Sequence, residues 1–137
     1  MTGQLLLNLL QVSQSTGESD NIFLADGTTK VKVYHWNTWQ ANGGEAVVYH
    51  NIGKTPNRCK TGVSYIDDVQ VQITVWNADS FEAATVAKNI RTVLEGWEGT
   101  YDNVKYYKIL FDSEVESFEP ELQYYGVVQT YTISNAR

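Results

Sequence analysis

From Val69 to Trp76 the apolar residues Val69, Val71, Ile73 and Val75 alternate with Gln70, Gln72, Thr74 and Trp76. Period two puts the first set on one face of a strand and leaves the second face mostly polar. The alternation stops at Asn77, where Asp79 and, three residues later, Glu82 form an acidic variant of the capping box. From Ser80 the period changes. Ala83, Val86, Ala87, Ile90, Leu94 and Trp97 recur at three- and four-residue spacing, with Thr85, Lys88, Arg91, Thr92 and Glu95 on the opposite side. Gly96 supplies a left-handed residue to close a helix of about four turns. This strand and helix are the unit on which the rest of the chain is expected to pack.

Earlier in the chain, Leu5, Leu6, Leu9 and Leu10 form a short stripe that predicts a helix over 3–14. The stretch SQSTGESDN has no apolar period and predicts a flexible loop, so residues 1–30 read as a helix plus a loop leading into the sheet. Val31, Val33 and His35 alternate with Lys32, Tyr34 and Trp36 in a first strand, and the turn-rich NTWQANGGE connects it to a second strand over 46–52. KTPNRCKTGVS reads as a long loop or hairpin arm projecting from the sheet, and Asp67-Asp68 as a turn before the central strand. Two further strands, over 104–112 and 122–134, are expected to pair as neighbours, joined by the acidic connection DSEVESFEPE. The expected fold is a single α+β domain over 1–137. Its mixed, largely antiparallel sheet has about five strands, with the long helix and the short N-terminal helix on one face.

Charge adds a contrast to this outline. Ten Lys and Arg against sixteen Asp and Glu give a formal net charge of −6, which disfavours general attraction to nucleic acid phosphate. The distribution is uneven: Lys54, Arg58 and Lys60 share one segment, while Asp112, Glu114, Glu116, Glu119 and Glu121 share another. Lys54, Arg58, Lys60, Glu114, Glu116 and Glu119 are therefore candidate interface residues. Phe81 joins them, because it falls opposite the buried stripe in the first turn of the helix.

Residues for catalysis are sparse. His35 and His50 stand on predicted strands without partners at metal-ligand spacing, and Gly43-Gly44 is not followed by the Lys-Ser or Lys-Thr of a phosphate loop. The acidic segment could supply a carboxylate pair, but charge runs are usually solvated faces. The single Cys59 forms no internal disulfide and suits a reducing cytoplasm. LLLNLLQV lacks the basic flank of a signal peptide and the length of a membrane span. Trp36, Trp39, Trp76 and Trp97 suit core and interface packing better than base stacking in a chain without a basic groove. No catalytic, cofactor or metal residue is nominated.

The run VQVQITVWNADSFEAATVAKNIRTVL resembles the signature region of the tail completion, or tail-to-head joining, proteins of long-tailed bacteriophages. In that family a strand, a short Asp-Ser turn and an Ala-rich helix follow one another. AVVYHNIGKTP also resembles the family's second strand and proline-bearing turn, and the likeness extends over roughly 31–137. SQSTGESDNIFLADG departs from the pattern, which moves quickly into its first strand. The resemblance implies a non-enzymatic virion protein, assembled in the host cytoplasm, that forms a homohexameric ring at the head-proximal end of the tail. Its implied partners are the tail tube protein and the head-completion protein, with DNA passing through the ring and no membrane involved. A different connector component, such as a head-completion or minor tail protein, is the alternative. An unrelated small ligand-binding domain is a more distant one.

Overall fold

A computed structural model describes residues 2–12, 18–24, 27–35, 46–59, 62–120 and 123–136. In chain order the elements are α1 (Thr2–Leu9), β1 (Glu18–Phe23), β2 (Lys30–His35), β3 (Ala46–Cys59) and β4 (Gly62–Asn77). They are followed by α2 (Ser80–Leu94), β5 (Gly99–Tyr101), β6 (Val104–Tyr106), β7 (Leu110–Glu119) and β8 (Tyr124–Ala136). The strands lie in the order β1-β2-β3-β4-β8-β6-β5, and β7 also pairs with β8. Among the described residues, only the β2–β3 pairing is parallel.

The α+β class and the largely antiparallel sheet are as expected, but among the described residues the sheet has eight strands where about five were predicted. Residues of the central strand pair directly with those of β8: Val69 with Ile133, Val71 with Tyr131, Ile73 with Gln129 and Val75 with Val127. Directly opposed residues share a face, so these eight form the floor of the core. Ala83, Val86, Ala87, Ile90 and Leu94 of α2 pack on it, and Leu5, Leu6 and Leu10 join the same cluster. The Asp79 side chain caps α2 by accepting from the Phe81 amide at 2.9 Å, and Gly96 adopts the left-handed conformation (φ +83°). The helix ends at Leu94, so Trp97 lies beyond it. There Trp97 packs on Tyr106, with ring centroids 6.3 Å apart.

Six departures from the sequence reading have local causes. Part of the expected loop SQSTGESDN is strand β1, and its polar residues serve the end of α1. The Ser19 hydroxyl donates to the Leu10 carbonyl, and the Asn21 side chain donates to the Leu9 carbonyl at 2.8 Å. Helix-end carbonyls lack intrahelical partners, and β1 provides them. Helix α1 closes earlier than predicted, with Gln11 in the left-handed region at φ +51°.

The expected loop after Gly53 is a ladder. Pairing of β3 with β4 continues from Lys54 opposite Val69 to Cys59 opposite Gly62, with bulges between Asn51 and Gly53 and between Pro56 and Arg58. Proline lacks a ladder donor, and a bulge is one place where a strand tolerates it. Asp67 and Asp68 lie inside β4 rather than in a turn, and Asp68 accepts a hydrogen bond from the Ser134 hydroxyl.

The strand predicted over 104–112 is divided. β5 and β6 form a hairpin around Asp102 and Asn103, both at positive φ (52° and 63°), as a two-residue primed turn requires. The acidic connection is itself a strand, β7, paired with β8 from Leu110 opposite Thr132 to Glu119 opposite Tyr124. Its side chains are largely exposed, so no apolar period marks it, and backbone pairing with β8 holds it in place.

Candidate functional site

Helix α2 and strand β7 lie over neighbouring parts of β8, and a groove runs between them. Glu114 is opposite Gln129 and Glu116 opposite Val127, which puts both carboxylates on the helix side of the sheet. Lys88 and Arg91 line the same cavity of about 170 Å³, with Ala84 and Val127 between the charges. Arg91 pairs with Glu95 one turn on and also places its guanidinium 3.8 Å from the centre of the Phe111 ring. The groove thus carries both signs of charge.

Beneath it lies a buried polar network. Gln129 is fully buried, and its amide donates to the Ala87 carbonyl at 2.9 Å and to Glu114 Oε1 at 3.0 Å. Its Oε1 accepts from the Tyr131 hydroxyl at 2.9 Å. Burial pushes the Tyr131 phenol well above its ordinary range, so it stays a neutral donor at physiological pH. This network joins helix to sheet and offers no group poised for proton transfer. Gln129 could have been noticed in the sequence as the polar member of the Val127, Gln129, Tyr131, Ile133 face.

Toward the start of α2 the groove widens into an open cavity of about 290 Å³. Phe81, Ala84, Glu116, Tyr125 and Val127 are among its lining residues. Phe81 is 73% exposed, and the Phe118 and Tyr125 rings touch at 4.9 Å between centroids while remaining partly open to solvent. On the opposite face of the sheet Trp76 packs over Gly126. A Cβ there would lie 2.7 Å from the Trp76 ring and 2.8 Å from Ser117 Oγ, so glycine is what lets the ring approach.

The candidate residues do not converge on one site. Glu114, Glu116 and Glu119 stand on a strand, and Glu119 points to the opposite face from the other two. Phe81 is near Glu116 across the wider cavity. Lys54 and Arg58 belong to the far end of β3, while Lys60, Trp36 and Trp39 lie outside the described residues. From Gly62 to Val75 is thirteen steps along β4, about 43 Å at roughly 3.3 Å per residue. Lys54 is level with Val69 and Arg58 with Val63, whereas Glu114 is level with Ile73 and Glu116 with Val75, and strands β4 and β8 stand between the basic and acidic segments. Among the described residues no cluster of His, Cys, Asp or Glu is arranged to hold a metal ion, and no helix is long and apolar enough to cross a membrane.

Comparison with known proteins places this surface in context. A family model described as Tail completion protein gp17 matches residues 29–134, which span the sheet from β2 to β8 together with α2. No curated protein matches the chain. Among solved structures, a chain from the virion of a native gene transfer agent particle aligns with a TM-score of 0.69. The alignment covers 96% of this chain and 92% of that one at 12% identity, a likeness of fold. The match over most of its length shows that the chain belongs to the tail completion protein gp17 family, structural proteins of the phage tail rather than enzymes.

Proposed function

We propose that the protein forms a ring, a homohexamer when assembled, at the head-proximal end of the tail. There it ends growth of the tail tube and joins the tube to the head-completion proteins. The observation that carries this reading is the placement of a basic segment on β3 and an acidic strand, β7, in one sheet with β4 and β8 between them, in a chain of the tail completion family. Two intervening strands keep these segments from pairing with each other within one molecule. If they meet between molecules the contact is head-to-tail, and such contacts either close into rings or continue as filaments. The open groove of α2 and β7 and the exposed Phe81 offer further contact area of the mixed apolar and polar kind used between subunits.

DNA would pass through the ring without specific binding. A net charge of −6 disfavours retention of phosphate along such a channel. The experiment is genetic and biochemical. A phage lacking the protein should accumulate DNA-filled heads and separate tails, some of abnormal length, and purified protein should restore infectivity in the lysate. Empty capsids carrying normal joined tails in the mutant lysate would overturn the proposal in favour of a head component.

A further inference from the structure

Helix α2 covers only part of the sheet face on which it packs. It lies against β4 and β8, while the same face of β7, beside β8, carries Glu114, Glu116 and Phe118 exposed. The surface is therefore a step, with a helix about 10 Å thick standing beside bare strand. The two sides of the step differ in charge: Lys88 and Arg91 line the narrow cavity from the helix, and Glu114 and Glu116 from the strand. Arg91 is engaged by Glu95, and Glu114 by Gln129. Lys88 and Glu116 are different, because among the described residues neither side chain has an ion pair or a hydrogen bond. Toward the start of the helix the step holds three exposed rings, Phe81 at 73%, Phe118 at 50% and Tyr125 at 41%. Exposed aromatic rings beside two unpaired opposite charges have the composition of a contact surface.

A partner carrying one sign of charge would be held by one side of this step and repelled by the other. The surface that fits carries both signs, exchanged between its sides, and aromatic rings at the same level. This chain has such a surface itself. Ala84 and Glu116 line both cavities, so Lys88 stands near the level of Glu116, and Phe81 near that of Tyr125. A half-turn about the line of the groove keeps each residue at its level and exchanges the two sides of the step. In a second copy placed by that rotation, the helix comes over the bare strand of the first. Lys88 of each copy then faces Glu116 of the other, and Phe81 of each reaches Phe118 and Tyr125 of the other. We propose that the free chain pairs with a second copy through this step, α2 of each lying over β7 of the other. The contact is isologous and closes with two chains. It differs in kind from the head-to-tail contact of the ring and does not rest on it.

Exchange of charge tests it. Lys88→Glu sets acid against acid at the contact, and Glu116→Lys sets base against base; both positions are exposed, so the fold should tolerate either change. The two variants, and a chain carrying both changes, would be compared with wild type by circular dichroism. Sedimentation velocity over a range of concentrations at low salt then reads the pairing. Wild type is expected to show a two-chain species. Each single variant should pair more than about tenfold more weakly, because the like-charge contact occurs twice in the pair. An equal mixture of the two should recover the pair, since both contacts then join opposite charges, and the chain carrying both changes should recover it alone. Phe81→Ala should weaken pairing as well, and added salt should weaken it in wild type and mixture alike. Wild type that remains a single chain, or that passes from one chain to rings with no two-chain species, would overturn the proposal. So would single variants that pair as wild type does, or a mixture that stays dissociated while wild type pairs.

Discussion

Gln129 in the middle of β8 donates a hydrogen bond to the main-chain carbonyl of Ala87 in α2, so the long helix is fastened to the central sheet by a buried amide as well as by apolar contact. The same amide group accepts from Tyr131 and donates to Glu114, which links the core to the exposed acidic strand.

Replacing Gln129 with Leu should destabilise the protein by about 1–3 kcal/mol, because it leaves the Tyr131 hydroxyl buried without its acceptor. Tyr131→Phe added to that variant removes the stranded hydroxyl. The double variant should therefore lose less than the two single losses combined, as measured by urea denaturation. Strict additivity would mean that the hydroxyl finds another partner.

Asp79 and Ile90 test the central helix in different ways. Asp79→Ala removes the acceptor for the Phe81 amide and should cost about 1 kcal/mol. Ile90→Ala empties a fully buried position on the stripe and should cost about 2–5 kcal/mol. Thermal melts alongside a substitution at the exposed Thr92 provide the scale, and an Ile90→Ala loss as small as that at Thr92 would contradict the packing of the helix.

At Gly126 the expected effect comes from overpacking. Gly126→Ala puts a methyl group 2.7 Å from the Trp76 ring and should cost about 1–3 kcal/mol. Shortening the neighbour by Trp76→Leu should shrink that penalty in a denaturation experiment, leaving only the contact with Ser117 Oγ at 2.8 Å.

Alkaline pH should weaken the fold. Burial raises the folded-state pKa of Tyr131, and to a lesser extent those of Tyr49 and Tyr106, above the ordinary value of 10.0. A raised pKa means that the folded chain holds its proton more tightly than the unfolded one. That contribution is fully present below about pH 10 and is lost as pH rises from there toward the folded-state pKa. Stability measured by denaturation should fall above about pH 10, by at most about 1.4 kcal/mol per pH unit for each such tyrosine. Tyr131→Phe should flatten the slope, and an unchanged slope would exclude Tyr131 as its source.

The sequence by itself determined the parts whose local pattern agrees with their final surroundings. The alternation of Val69, Val71, Ile73 and Val75, the Asp79 cap and the stripe from Ala83 to Leu94 each point to an element that forms where expected, because burial on one face imposes its period on the residues. Phe81 is likewise exposed because it lies off that stripe. Only the tertiary structure decided that SQSTGESDN contributes a strand, that the acidic segment becomes β7 and that the arm is a ladder to Cys59. In each case the element is held by backbone hydrogen bonds to a strand distant in sequence or to the end of a helix, and such bonds leave no period in the side chains. The separation of Lys54 and Arg58 from Glu114 and Glu116 was decided in the same way. Their grouping is written in the chain, but the distance between the groups depends on the register of β3, β4, β8 and β7, which the pairing of whole strands sets.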